Sequence, residues 1–433
     1  MERDFANYNR DLEIMNFRRL IAAIDRIGLS RHQETTRRFD RVAIKKVLLE
    51  LSQNDADLGR IDPFNQFDDF EYMLDIEPSC RAQWGNHLIE STLSFSPKTD
   101  VDSMATILIV VRSAVNNYSV RNAIRNTWYL NRTIDDLIAF KTVFMVGACG
   151  EQNPVPYPAS NQANSTELCK KAIHNESMHF GDIIQSSGID NYYKLTIKTF
   201  MTLRYNVERC PSDFTLTIDD DFAFEVNNFM KHLLEVASME SYGTPVTSSS
   251  PVVASKQVYH LEGSAEEPNL SSRPKLALIV RDMEEARSNK LQTLNRLRSL
   301  SNQYLYRGNL QNYARPARHL GDKWYVTQQE YEYDRYPPYL SGGSVLMSFK
   351  TIKHIYLASY FTRSFIFDDV YLGMITYKLG LIPEHNKNFL CSAKEYLAAD
   401  PIRNANATPC IGAHEVKPDK LLEIWLQRKA SPE

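Results

Sequence analysis

Residues 214–222 read FTLTIDDDF, and the fold is decided there. Phe214, Leu216 and Ile218 alternate with Thr215 and Thr217, which is the period of a strand with one buried face. The strand runs into three consecutive carboxylates, Asp219, Asp220 and Asp221. At about 4 Å and an effective dielectric near 20, each like-charge contact costs on the order of 4 kcal/mol. A cation removes that cost, and hard oxygen ligands suit Mg²⁺ or Mn²⁺. Ligands of open α/β sheets bind just beyond the carboxyl ends of the strands. Taken alone, the stretch is equally well read as a solvated acidic turn without metal.

Upstream, residues 105–111 (ATILIVV) form a short continuous apolar run, as expected of a strand buried on both faces of a parallel sheet. Ser119 is placed to cap a following helix carrying RNAIRNTW at 121–128, with Arg121 and Arg125 on one face. A second buried strand follows at 142–148 (TVFMVGA), so strand, helix and strand make a βαβ unit. Residues 192–205 (YYKLTIKTFMTLRY) read as a helix with Lys194 and Lys198 on one face. Downstream of the carboxylates, 226–237 is a helix with Phe229, Leu233 and Ala237 on its apolar face. Residues 239–302 change character, with low-complexity sequence followed by a charged, helix-prone part, and are expected to be an insertion that is partly disordered. At 336–349, YPPYLSGGSVLMSF sets Pro337-Pro338 and Gly342-Gly343 before a strand, and paired glycines allow close backbone approach to a ligand. Asp368 and Asp369 then start a helix that Gly380 stops, and a terminal helix covers about 418–429.

The 433 residues carry a net charge of −3, so no basic field argues for a nucleic-acid partner. Six cysteines occur without a CxxC pair, which gives no zinc signal. Sequons begin at Asn117, Asn131, Asn164, Asn175, Asn269 and Asn406, a mild hint of the secretory lumen. No run of 18 apolar residues occurs, so neither a membrane span nor a signal peptide is expected. Residues 1–100 read as a polar extension. Leu20, Ile21, Ile24 and Ile27 share one helix face in it, and the acidic-aromatic FDDFEYMLDIEP looks like a linker or docking strip without chemistry.

In order, RNAIRNTW, YYKLTIKT, LTIDDDF, YPPYLSGG, FDDVYLG and IGAHEVKP resemble the motifs of the β1,3-galactosyltransferase family of inverting, nucleotide-sugar-dependent glycosyltransferases. The resemblance spans about 101–427, apart from 239–302. Each motif alone is weak; six in order are a strong signal. It implies an α/β fold of GT-A type: one Rossmann-like domain over 101–430 with a mixed, mostly parallel sheet, behind the stem-like extension. The acidic triplet then matches the family's DxD motif. Asp221 is expected to be the direct metal ligand, Asp219 to lie nearer the nucleotide ribose, and Asp220 to belong to the nucleotide site. His414 matches a late histidine that completes the metal shell; standing alone it would be a surface or core histidine. A mixed imidazole and carboxylate set favours Mn²⁺ over Ca²⁺. Arg121, Arg125 and Lys198 are expected to hold the nucleotide or add positive potential. For Lys194 a solvated helix charge is preferred, and for Trp128 packing. An inverting transfer needs a base for the acceptor hydroxyl. In the family this is the Asp of a Glu-Asp-Val motif. The motif here is Asp368-Asp369-Val370, so Asp369 is the expected base and Asp368 replaces the usual Glu, which leaves that residue's contact in question. Both are alternatively read as helix-start carboxylates. Ser344 stands where the family often has an aromatic residue, so acceptor preference is expected to differ. Cys391 and Cys410 enclose a loop that a disulfide could close, worth about 3 kcal/mol and able to position His414. Cys210 is a family-like position whose partner is not readable.

Two departures stand out. The stretch between Asp221 and Tyr336 is longer than the family leads one to expect, and although the resemblance implies membrane association through a signal-anchor helix, no such helix is expected from these residues. The expected activity is Mn²⁺-dependent transfer of a hexose, galactose first, from a UDP-sugar to a glycan acceptor on a glycoprotein or glycolipid, forming a β1,3 linkage on the lumenal side of the Golgi. Transfer of N-acetylglucosamine or N-acetylgalactosamine is the alternative. A non-catalytic chaperone-like relative ranks below both because it should have lost the carboxylates. A Ca²⁺-dependent lectin-like binder leaves RNAIRNTW unexplained.

Overall fold

The structure is a computed structural model that describes Arg18, Ala22 and residues 70–74, 104–150, 165–190, 195–239, 273–398 and 410–429, with only the backbone for 273–286 and 427–429. The helix face at Leu20–Ile27, Lys194 and the sequons at Asn164, Asn269 and Asn406 lie outside the described residues. In chain order the elements are β1 (Tyr72–Leu74), β2 (Ala105–Arg112), α1 (Tyr118–Arg125), β3 (Thr133–Ile134), β4 (Ile138–Ala148), α2 (Ser165–Phe180) and β5 (Ile183–Ile189). They continue with α3 (Leu195–Glu208), β6 (Phe214–Asp219), β7 (Ala223–Phe224), α4 (Val226–Met239), α5 (Arg273–Ser301), β8 (Tyr306–Gln311) and β9 (Tyr339–Ser348). The chain closes with α6 (Phe349–Ser359), α7 (Asp368–Lys378), β10 (Glu384–His385), α8 (Ala393–Ala398), β11 (Gly412–Ala413) and α9 (Pro418–Lys429).

Among the described residues nine strands form one mixed sheet in the order β1-β5-β4-β2-β6-β9-β8-β10, with β3 beside β4. The inner strands β5, β4, β2 and β6 are parallel. β9 runs antiparallel between β6 and β8, and β10 returns parallel to β8. The parallel half grows outward from β2 through β4 to β5, then crosses back to put β6 on the other side of β2. That reversal is a topological switch point, and it opens a crevice beyond the carboxyl ends of β2 and β6. Arg112 and Asp219, the last residues of those strands, are register partners there.

Strand β2 is apolar throughout because both of its faces are covered. Ile107, Ile109 and Val111 join one core cluster, while Leu108 and Val110 join the other. The same holds for β6, which corrects the expectation of one buried face. Phe214, Leu216 and Ile218 are fully buried, and so are Thr215 and Thr217. The threonines are tolerated because their hydroxyls are paired. Thr215 Oγ1 accepts from Asn206 Nδ2 at 2.7 Å, and Thr217 Oγ1 donates to Val345 O at 3.4 Å.

Three further expectations change. The N-cap of helix α1 is Asn117 rather than Ser119, and it makes no side-chain cap; its Nδ2 donates to Asp220 instead. Residues 72–74 are not a linker but an edge strand, antiparallel to β5. Within 239–302, expected to be a partly disordered insertion, the helix-prone part is a helix that packs on the core. Helix α5 continues to Ser301, and Leu294, Leu297 and Leu300 are buried in the core at helical spacing. Gly380 does terminate α7, at φ +59°, with its N–H donated to Tyr377 O at 2.8 Å. Among the described residues no helix is long and apolar enough to cross a membrane.

Candidate active site

Two residues almost two hundred positions apart meet because of a small second sheet. After Asp221 the chain turns into β7, which pairs antiparallel with β11: Ala223 faces Ala413, and Phe224 faces Gly412. That register brings Asp221 and His414 together. His414 Nε2 lies 3.3 Å from Asp221 Oδ2, and Val416 N donates to Asp221 O at 2.9 Å. A disulfide between Cys391 and Cys410 closes the loop behind them, and His414 N donates to Cys391 O at 3.4 Å. Trp128 packs, as expected, and its Nε1 donates to Phe222 O at 3.1 Å, just after the carboxylates.

The three carboxylates have three different surroundings. Asp220 turns toward the loop after β2, accepting from Ser113 Oγ at 2.6 Å and Asn117 Nδ2 at 3.0 Å. Asp219 Oδ1 pairs with Arg112 Nη2 at 2.7 Å. Burial and the neighbouring carboxylates push Asp219 up to about 7, although Arg112 pulls the other way. Asp221 keeps Oδ1 shielded from solvent with no hydrogen-bond partner. An orphaned, shielded carboxylate oxygen is costly unless something positive meets it. Asp219, Asp221 and His414 each offer one ligand atom, and all three atoms lie within 4.8 Å of one another. The donor set therefore fits a divalent cation of the borderline kind that takes both imidazole and carboxylate. The hydrogen bond to Asp221 raises His414 above its ordinary value.

Asp369 lies in the first turn of α7, across from the glycine pair of β9. Its Oδ1 accepts from Val370 N at 2.7 Å. Burial, then the charge of Asp368, pushes Asp369 up to about 7, against weaker opposition from the Val370 and Gly342 amides and Arg112. Its field also raises the hydroxyls of Tyr306, Tyr336 and Tyr339 behind their own burial, so these phenols stay protonated around it. Asp368, the shortened residue, keeps a firm contact: Oδ2 accepts from Thr199 Oγ1 at 2.7 Å and pairs with Arg112.

The basic residues expected on the nucleotide are elsewhere, which is a correction. Arg121 is fully buried; it pairs with Glu176 and donates to Ser113 Oγ, Ala114 O and Val115 O. Arg125 pairs with Glu176 and Asp182 and stacks on Phe180 at 3.8 Å. Lys198 Nζ donates to Ser113 O and Asp190 Oδ1, both at 2.8 Å. All three charges are taken up by carboxylates of the fold; Arg121 and Lys198 also brace the loop 113–117 that touches Asp220. Ser344 is likewise buried, donating to Phe389 O at 2.7 Å, so it faces the core rather than an acceptor.

The residue not foreseen is Arg112, at the end of the apolar run of β2. Burial would depress it, but the carboxylates of Asp219, Asp368 and Asp369 outweigh that and hold it cationic. A charge that ends a doubly buried strand at a switch point was the signal available in the sequence.

Gly343 is needed for room. A Cβ there would come 2.6 Å from the ring of Phe222, itself fully buried beside Asp221. Gly343→Ala should destabilise the fold by about 1–3 kcal/mol, as overpacking does, and weaken cation-dependent nucleotide binding. Thermal melting and calorimetry check both; an unchanged melt would show that Phe222 has space to move.

The profile of the family described as Galactosyltransferase matches residues 119–269 and 285–387, more than half of the chain. The beta-1,3-galactosyltransferase brn of Drosophila melanogaster is 26% identical over 334 residues, covering 77% of each chain. The human lactosylceramide 1,3-N-acetyl-beta-D-glucosaminyltransferase is 25% identical over 326 residues, 74% of this chain and 61% of its own. The beta-1,3-galactosyltransferase bre-5 of Caenorhabditis elegans is 24% identical over 340 residues, 77% of this chain and 78% of its own. Among solved structures, the galactosyltransferase LgtC aligns over 76% of this chain at 11% identity and a TM-score of 0.28, too loose to argue from.

Proposed function

Since this chain belongs to the galactosyltransferase family and is a hexosyltransferase, we propose that it moves galactose from UDP-galactose to a hydroxyl of a glycan acceptor, forming a β1,3 linkage with inversion. The observation that carries the reading is the convergence of Asp219, Asp221 and His414, joined through Arg112 to the residues that flank Asp369. The first group suits a diphosphate with its cation, and Asp369 suits an acceptor hydroxyl. The sugar of UDP-galactose is α-linked, so a β product requires attack from the opposite face.

Asp221 and His414, with Asp219 beside them, would hold Mn²⁺, which supplies positive charge against the departing diphosphate. Asp369 accepts the proton of the acceptor hydroxyl as its oxygen bonds to the anomeric carbon and the bond to UDP breaks. Its raised proton affinity suits it to that task near neutral pH. Tyr306, Tyr336 and Tyr339 stay neutral within the field of Asp369. Disulfides at Cys149–Cys169 and Cys391–Cys410, with Cys210 also bonded, support an oxidising compartment such as the Golgi lumen.

The test is transfer and slow hydrolysis across a panel of UDP-sugars, with Mn²⁺ or chelator, followed by a glycan acceptor array. Preference for UDP-N-acetylglucosamine would favour the reading suggested by the human relative; no turnover of any UDP-sugar would sink both. The pH profile is a separate prediction. Only ionised Asp369 accepts a proton, so kcat should fall as pH drops through about 7. An ordinary carboxylate would place that limb near pH 4, and a limb found there would show that the proton affinity of Asp369 is not raised in the working site.

A further inference from the structure

Arg112 touches both halves of the site. It stands at the last position of β2, level with Asp219 at the last position of β6. From there Nη2 reaches Asp219 Oδ1 at 2.7 Å and the carbonyl of Gly342, while Nη1 pairs with Asp368 Oδ2. Gly342 and Asp368 are the two flanks of Asp369. Asp368 precedes it in the chain, and a Cβ on Gly342 would lie 3.7 Å from the Asp369 Cβ. The side chains of Arg112 and Asp368 are 6% and 10% exposed, so neither has water as a substitute partner.

We propose that Arg112 is a positioning residue for the transfer step: its fork ties the donor-side carboxylate Asp219 to both supports of Asp369 and so sets the distance between donor and base. The guanidinium reaches from β2 to Asp368 at the start of α7, 256 positions away in the sequence. A point charge such as lysine does not reproduce a fork that meets oxygens held by β6, β9 and α7 at once.

This inference rests on the transferase reading, and the experiment separates the two. Wild-type enzyme failing to transfer from any UDP-sugar would overturn that reading before any variant is compared. Given wild-type transfer, Arg112→Lys should bind UDP with Mn²⁺ within about threefold of wild type by calorimetry, yet lose about 10²-fold in kcat, because a displacement of about 1 Å costs that much. Its donor KM should hardly move. A side chain that only neutralises charge would be rescued by lysine, so a wild-type kcat in Arg112→Lys overturns the proposal. A kinetic cycle of Arg112→Met, Asp368→Asn and the double variant guards against simple misfolding. The double variant removes the buried unpaired carboxylate, and should be no slower than the worse single variant. Losses that multiply would show two independent roles and would also overturn it.

Discussion

Asp369→Asn should leave a folded protein that binds UDP and Mn²⁺ as wild type does and transfers no sugar at a useful rate. The expected loss is about 10²–10⁴-fold in kcat, the range for removing a general base. Two features make this substitution a clean test. Asn keeps an oxygen to accept the Val370 N–H that Asp369 Oδ1 takes at 2.7 Å. It also removes a charge that burial and Asp368 already disfavour, so stability should hold or rise. Single-turnover transfer measured beside UDP calorimetry decides the outcome. An active Asp369→Asn enzyme would place the base elsewhere, and Asp368 is a poor substitute because Arg112 and Thr199 occupy its carboxylate.

Asp221→Ala should abolish cation-dependent UDP binding. Asp221 contributes the carboxylate oxygen with no partner among the described residues, together with the contact to His414. Losing one carboxylate from a set of three protein ligands leaves Asp219, already paired with Arg112, and one imidazole. The loss should exceed tenfold in affinity, since even outer supports of a metal site are worth about 10–100-fold. Calorimetry of UDP with Mn²⁺, with chelator as the reference, reads the effect. Unchanged binding would mean that the orphaned oxygen meets something other than a cation. Asp220→Ala is the contrast: its carboxylate is spent on Ser113 and Asn117, so it should disturb the loop after β2 more than the cation.

The corrections share one cause. The family resemblance puts Arg121, Arg125 and Lys198 on the nucleotide, and helical spacing adds only that Arg121 and Arg125 share a face. Which face is buried depends on what packs against it, and here Glu176, Asp182 and Asp190 arrive from neighbouring elements to take up each charge. Arg112 was overlooked for the converse reason. It sits directly after a run that reads as pure core, and its importance comes from register partners on β6 and from α7, 256 residues later. The α5 leucines looked like part of an insertion because the preceding sequence is low in complexity. Their burial follows from the core cluster that receives them.

Local order along the chain was enough to establish the parallel strands, the acidic strand end, the helix opened by Asp368 and Asp369, and the likeness to galactosyltransferases. Period, turn residues and motif spacing are properties of neighbours in sequence. Only the folded chain decided which charges face the crevice and which brace it. That choice is made by burial and by strand register, and both depend on residues brought together from far apart: Ala413 against Ala223, and Arg112 between Asp219 and Asp368.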